Sequence, residues 1–502
     1  MKHSKTIRKP PADAGRTFSL AMPGGVLVLT AVCFLPVLTL FFAQDDFMLI
    51  QRAVNDPGWA FDFTKHHYRP LTKYVYFAVM YAVFGLKPFM YHFVSLAVHV
   101  ASTLLVYRIV LRLAVRPAPA IVTAALFGMN VAFLNAVAWI SCIQQLAGGF
   151  FFLLCFWAGL RALQDRSGAM QIVSSASYVF AVLSLEQTFA AGALLVAVAL
   201  LGVAGRRFRV RETLYWLWPH LLIFGVYTIQ RALKGVPDSG FAGFAYEKNV
   251  LENVVTYLGA LTNPWPVVSG LITGDPLAFR WPHAVLIALV VYHLNRRRFG
   301  AVVFAIGFLL VTLFPTLFLR GHQFYYHTYV PSLGVMYLFA LALNDFFGMA
   351  MMSGRRARVV VTSLVVVGVF VGSFSMVRAN FKRATDPATW EDASFVIRRA
   401  TIGKRIHDDL LAKAGDTRAT RTVHMIYFVR EKGQAGGGER DLFWALGNGA
   451  AVALTLGDPS IEVVLDIDPK RLYEEETATS RVFLYDRVGH VYTLADIRLP
   501  SQ

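Results

Sequence analysis

The sequence predicts an all-α polytopic membrane domain followed by a small C-terminal α/β domain. Of its 502 residues, 56% are hydrophobic and 16% are charged, whereas soluble domains carry about 25% charged residues. Apolar runs of bilayer-spanning length recur from Val26 to about Met376, which is typical of membrane helices. After residue 377, charged residues and turn signals become frequent, which indicates a second domain over 378–502.

The positive charges set the predicted topology. The net charge is +17, but the basic residues stand in short clusters between apolar runs, where they orient spans. We therefore expect no nucleic-acid partner. With every cluster on the cytoplasmic side, the chain has eleven spans, at about 25–43, 88–107, 118–137, 143–161, 170–186, 187–204, 213–232, 281–295, 300–318, 325–346 and 358–376. Residues 1–20 are then a cytoplasmic tail and 21–377 form the membrane domain. We expect a multi-pass protein, surrounded by lipid, in a bacterial inner membrane.

Two long loops are predicted on the extracytoplasmic side, at 44–87 and 233–280. The stretch 68–86 is apolar but rich in tyrosine and carries Arg69 and Lys73, which suits a helix lying in the interface. A second short helix is expected before Asn263-Pro264. In the extracytoplasmic domain 378–502, "VHMIYFV" and "IEVVLDI" predict strands, "RDLFWALGNGAAVALTLG" a helix ended by glycine, and "RVFLYDRVGHVYTL" a hairpin.

An acid pair, Asp45 and Asp46, follows the first span and is the first candidate for chemistry, because charges at membrane depth are costly and commonly functional. Adjacent helical side chains diverge by about 100°, so the two acids serve different atoms. One is expected to act as a general base, with Asp46 slightly favoured, and the other to cap the following helix.

Basic and acidic side chains on the same predicted side complete the candidate site. Arginine and lysine bind phosphate oxygens well, although each residue here also suits simple anchoring at the interface. The phosphate-binding candidates are Arg69, Lys73, Arg320 and His322, and the further cavity candidates are His66, His67 and Glu186. Cys33, Cys142 and Cys155 show neither metal-ligand spacing nor a disulfide pattern. His92 and His99 are interpreted as buried structural histidines.

Several motifs resemble the GT-C superfamily of polytopic glycosyltransferases, in particular its protein O-mannosyltransferase-like branch. The likeness covers roughly residues 20–350. The matching segments are Asp45-Asp46, Arg69-Pro70-Leu71, Phe84-Gly85 with Pro88, His92 with His99, "LSLEQ" around Glu186, and "YYHTYVPSLG" with His327 near an expected arginine.

The resemblance implies an inverting hexosyltransferase with a polyprenyl-phosphate sugar as donor and a glycan, lipid or protein as acceptor. It also implies interfacial helices in the first loop, and a first-loop acid that activates the acceptor or binds a metal. Gln144 and Gln145 stand where relatives usually carry an acid, so no cofactor is certain and a divalent metal is disfavoured. Two other functions fit the same features: a transporter or flippase for a lipid-linked glycan, and a non-catalytic membrane scaffold.

Overall fold

The computed structural model describes residues 21–58, 69–113, 115–203, 207–234, 245–246, 250–262, 281–320, 323–349, 354–386, 389, 393–413, 422–427, 444–458, 461–466, 480–485 and 491–493. Most of these residues are helical. The helices are α1 Ala21–Phe34, α2 Asp45–Asn55, α3 Tyr76–Phe84, α4 Pro88–Arg112, α5 Pro117–Gly128, α6 Leu134–Ala138, α7 Ile143–Asp165, α8 Gly168–Val182, α9 Ala191–Leu201, α10 Val210–Lys234, α11 Val250–Thr262, α12 Trp281–Asn295, α13 Phe299–Leu313, α14 Ser332–Phe346, α15 Arg355–Thr385, α16 Phe395–Lys413 and α17 Ala450–Thr455.

The helices confirm that the chain is an integral membrane protein. Within the described ranges, the helical segments long and apolar enough to cross a bilayer are Ala21–Thr39, Pro88–Arg112, Pro117–Ala138, Ile140–Asp165, Phe299–Thr316 and Arg356–Thr385. Each of the eleven predicted spans overlaps a helix. The segment Leu71–Phe84 is shorter than 18 residues, and α11 ends at Thr262, so both predicted loop helices form.

Two predicted elements differ from the structure because of local backbone chemistry. The span predicted at 118–137 is interrupted after Gly128, since the Asn130 side chain accepts a hydrogen bond from the Ala132 amide at 2.9 Å and starts a new 3-10 turn. The helix predicted over residues 440–457 is interrupted between the helical residues Trp444 and Ala445 and the start of α17 at Ala450, because Gly447 and Gly449 have φ of 53° and 91°. A left-handed backbone ends helical geometry.

Aromatic and histidine side chains pack in the core of the membrane domain. His92 and His99 are fully buried, as predicted. The His99 ring lies 3.0 Å from the Tyr329 hydroxyl and 2.8 Å from the Gly128 carbonyl oxygen. A side chain at Gly149 would collide with the Tyr329 ring, so glycine permits this close approach. The three cysteines are buried and free.

A mixed sheet and two helices form the C-terminal unit. We define this unit as α16, α17 and strands β3 Thr422–Tyr427, β4 Glu462–Asp466, β5 Ser480–Tyr485 and β6 Val491–Thr493. The strand order is β4-β3-β5-β6, with β3 parallel to both neighbours and β6 antiparallel to β5. The predicted strands are therefore confirmed. A separate two-stranded pair joins β1 Ala245–Tyr246 to β2 Leu319–Arg320.

The C-terminal unit packs directly on the start of α2. A side chain at Gly403 of α16 would lie 3.1 Å from the Phe42 carbonyl oxygen, and one at Gly447 would lie 2.6 Å from that of Gln44. The His407 ring contacts Phe41, with centroids 4.8 Å apart. The unit that follows the last span thus forms one wall around the acid pair.

Candidate active site

The acid pair occupies the first turn of α2. The helix begins immediately after Gln44, whose backbone has φ 55° and ψ −121°. Carboxylates are favoured at this end of a helix because its free N–H groups and dipole attract negative charge. The two acids, however, have different surroundings.

Asp46 is engaged on both carboxylate oxygens. It is 1% exposed. The Ser141 amide donates to Oδ1 at 2.7 Å, the Ser141 hydroxyl donates to the same oxygen, and the Ala43 amide donates to Oδ2 at 2.9 Å. The Asp46 amide in turn donates to the Ala43 carbonyl at 3.1 Å, so two hydrogen bonds join Asp46 to Ala43. Because Ala43 precedes the helix, Asp46 does not cap α2 as predicted; it ties the first turn of α2 to Ala43 and to the 3-10 turn Ile140–Cys142.

Burial dominates the proton affinity of Asp46. It raises the pKa of this carboxyl to about 7, against the opposing effect of hydrogen bonds from Ser141 and Ala43 and with a smaller contribution from the charge of Asp45. The group thus changes its charge near neutral pH.

Asp45 is only partly buried, and its carboxylate accepts no hydrogen bond from any residue in the described part of the chain. Burial raises its pKa, while the positive charges of Lys73 and Arg399 lower it. A carboxylate that lies near positive charges but accepts no hydrogen bond has its lone pairs available to a ligand. Of the two acids, Asp45 is the one placed to accept a proton.

Arg69 and Glu186 form a two-pronged ion pair. The Arg69 Nε donates to Oε2 at 2.6 Å and its Nη2 donates to Oε1. The Thr72 hydroxyl donates to the Ser184 carbonyl at 2.9 Å. These bonds fix the predicted phosphate-binding turn against the end of α8, and they bring two sequence candidates together.

Lys73 carries charge that the ion pair does not compensate. No hydrogen bond joins its ammonium group to a described residue. Burial lowers its pKa and the like charge of Arg69 lowers it further, whereas Asp45 and Glu186 oppose the shift. An ammonium group that feels the charges of both a guanidinium and the Asp45 carboxylate, and that makes no hydrogen bond to a described residue, is suited to receiving an anion.

The structure describes the other predicted site residues only in part or not at all. His66, His67 and His322 lie outside the described residues. Arg320 lies in β2, where its backbone pairs with Ala245, but its side chain is also outside the described part. Nothing in the structure tests their predicted roles in binding.

Several residues at this site were missed in the sequence. Ser141 holds Asp46, and Arg399 donates from Nη1 to the Gln44 side-chain oxygen at 2.6 Å. The Tyr257 hydroxyl of α11 lies 2.8 Å from His327 Nδ1, beside Tyr326. Arg399 gave no signal because α16 is rich in basic residues, and Ser141 gave none because a serine within an apolar run is unremarkable.

Among the described residues, the donors around the acid pair do not fit a resident metal ion. Asp46 has both oxygens engaged, and Gln145 is a buried amide near the turn that holds it. Within the described residues, no group of three or more His, Cys, Asp or Glu side chains has the arrangement of a metal site. We therefore derive no step through a metal.

The structure is similar to solved structures of membrane enzymes. It matches archaeal oligosaccharyltransferase AglB from Archaeoglobus fulgidus, in complex with an inhibitory peptide and a dolichol-phosphate, at 13% identity and a TM-score of 0.44, over 88% of this chain and 64% of AglB. It matches ArnT from Cupriavidus metallidurans, bound to undecaprenyl phosphate, at 12% identity and a TM-score of 0.45, over 93% of this chain and 94% of ArnT.

The chain thus spans just under two thirds of the length of AglB. No protein-family model and no curated protein matches the sequence.

Proposed function

We propose that this protein is a membrane glycosyltransferase that moves a sugar from a polyprenyl-phosphate donor to an acceptor hydroxyl on the extracytoplasmic face. One observation carries the proposal: Asp45, with no hydrogen-bond donor among the described residues, shares a partly buried site with the uncompensated Lys73. A base next to an anion-binding cation is the arrangement that displacement of a phosphate by a hydroxyl requires.

The donor phosphate binds Lys73, with the Arg69 guanidinium beside it. Glu186 holds that guanidinium by two hydrogen bonds, so Arg69 presents its charge from a fixed position. Charges that are oriented before the reaction stabilise a leaving oxyanion better than mobile ones, because they need no reorganisation as the bond breaks.

Asp45 removes the proton of the acceptor hydroxyl. As the acceptor oxygen bonds to the anomeric carbon, the bond from that carbon to the phosphate oxygen breaks, and the polyprenyl phosphate leaves with its negative charge near Lys73. The proton remains on Asp45. Attack opposite to the leaving phosphate inverts the anomeric centre.

The test uses purified protein in detergent and two measurements, undecaprenyl-phosphate binding and release of undecaprenyl phosphate from an undecaprenyl-phosphate sugar panel that includes mannose. Asp45→Asn should lower turnover by about 10²-fold or more, the typical contribution of a general base, and retain binding. Lys73→Gln should weaken binding of undecaprenyl phosphate.

The matched control is Asp408→Asn, because Asp408 is an exposed acid of α16 that pairs with Lys404. It should turn over like the wild type. Wild-type turnover by Asp45→Asn would refute the role of Asp45, and a wild-type protein that neither binds undecaprenyl phosphate nor releases it from any sugar would refute the function.

A further inference from the structure

Gln44, the residue before the acid pair, has an unusual backbone conformation. Its φ of 55° and ψ of −121° are sparsely populated for a residue with a side chain, so this conformation is strained. Such strain persists only where neighbours impose it. Here the Ala43 amide is held by Asp46, and the backbone of Gly447 lies against the Gln44 carbonyl oxygen.

The side chain of Gln44 is also fixed, by a residue 355 positions away. Arg399 Nη1 donates to Gln44 Oε1 at 2.6 Å. Because a guanidinium only donates hydrogen bonds, the amide must direct its oxygen toward Arg399. The Arg399 guanidinium itself lies over the Phe395 ring, 5.1 Å from its centroid.

This orientation leaves the amide nitrogen of Gln44 unsatisfied. The side chain is 3% exposed, and Nε2 is buried without a hydrogen-bond partner among the described residues. A buried donor without an acceptor destabilises the folded protein because its hydrogen bond to water is lost and not replaced, and native structures contain few of them. An oxygen atom of a ligand bound beside Asp45 would supply the missing acceptor.

We infer that Gln44 binds the attacking oxygen of the acceptor through Nε2, and that Arg399 is the positioning residue that orients the Gln44 amide for this contact. The hydroxyl then donates its hydrogen to Asp45 and accepts one from Gln44, so one lone pair stays directed at the anomeric carbon. The C-terminal unit, which supplies Arg399, thereby contributes to the site. This inference rests on the proposed function.

Gln44→Glu removes the amide donor and adds a carboxylate beside Asp45, so turnover is measured above the acidic limb of kcat/KM, where Asp45 is ionised in both proteins. Glutamate keeps the length of the side chain and an oxygen for Arg399, but it removes the N–H groups. With water and then glycerol as the attacking nucleophile, kcat for release of undecaprenyl phosphate should fall about 10-fold, the size expected for one lost hydrogen bond. The Kd of undecaprenyl phosphate should change by less than about 2-fold, and the thermal midpoint should be retained.

The role of Arg399 is tested by pairing two substitutions. Measured above the acidic limb of kcat/KM, where Asp45 is ionised, Gln44→Met and Arg399→Gln should each lower kcat about 10-fold, and the double variant should be no slower than either single one, because both then remove the same contact. Arg399→Lys retains a charged donor and should recover most of the activity. Lys404→Gln, at an exposed position of the same helix, should behave like the wild type.

The possible outcomes separate the two proposals. Turnover of Gln44→Glu at the wild-type rate would overturn the inference and leave the proposed function standing. Additive losses in the double variant would overturn the positioning role of Arg399. A wild-type protein without any turnover would overturn the proposed function, and the inference with it.

Discussion

The Arg69 guanidinium and the Glu186 carboxylate meet edge to edge through two hydrogen bonds, although 117 residues separate them in the chain. The pair joins the first predicted loop to the 3-10 turn Glu186–Thr188. Arg69 and Glu186, which the sequence suggested as separate candidates for ligand binding, thus bind each other and form one fixed pair beside Lys73.

Breaking this ion pair should destabilise the protein. The two side chains are 20% and 21% exposed, so Glu186→Ala leaves a largely buried guanidinium uncompensated and should cost about 3 kcal/mol. The double variant Arg69→Met/Glu186→Leu should recover much of this loss. Thermal midpoints in detergent measure both. A double variant as unstable as Glu186→Ala would show that the pair does not act through its charges.

The two aspartates should differ in their effect on stability. Asp46→Asn places an amide nitrogen against either the Ala43 or the Ser141 N–H, and an unsatisfied buried donor costs about 1–3 kcal/mol. Asp45→Asn loses no such bond and serves as the control, with a thermal midpoint near that of the wild type. Equal midpoints for the two variants would contradict a stabilising role for the hydrogen bonds that Asp46 accepts from Ala43 and Ser141.

Stability should also depend on pH through Asp46. Its pKa is raised from 3.8 to about 7 in the folded protein, mainly by burial. Between these two values the folded state binds more protons than the unfolded state, so stability falls as pH rises through the window. Midpoints measured from pH 4.5 to 8 should decrease with pH, and Asp46→Asn should flatten the slope. An unchanged slope in that variant would exclude Asp46 as its source.

The pH dependence of turnover should report Asp45, because a base acts only when ionised. Its pKa is raised by burial and lowered by Lys73 and Arg399, and the charge of Asp46 lies next to it. Arg399→Gln removes one of the two cations, so the acidic limb of kcat/KM should move to higher pH. Lys404→Gln should leave the limb in place. A shift to lower pH in Arg399→Gln would contradict this electrostatic assignment.

Contact between the C-terminal unit and α2 should be sensitive to one glycine. Gly447 has φ +53°, and a methyl group there would lie 2.6 Å from the Gln44 carbonyl oxygen. Gly457 has φ +77° with open space around it. Gly457→Ala should cost about 1–2 kcal/mol for its backbone alone, whereas Gly447→Ala should cost more and also lower turnover. Thermal midpoints and kcat for both variants decide whether the contact matters.

The sequence alone determined the class of this protein and most of its helices. Bilayer thickness forces long apolar runs on any spanning helix, so the membrane domain was readable without tertiary information. Alternating apolar residues likewise revealed the strands of the C-terminal unit. The break after Gly128 and the interruption before α17 were missed because one asparagine or glycine in a favourable run has only a small local effect, and packing decides whether the helix continues.

Within the site, the sequence identified the chemical groups but not their pairing. Helix geometry established that Asp45 and Asp46 point in different directions; it did not establish which of them meets a donor. That depended on Ser141, which lies 95 residues from Asp46, just as the orientation of Gln44 depended on Arg399. Periodicity records how each segment buries its apolar face, whereas hydrogen bonds between distant polar side chains exist only after those segments have packed. Tertiary structure therefore assigned the hydrogen-bond donors to Asp46 and left the Asp45 carboxylate without one among the described residues.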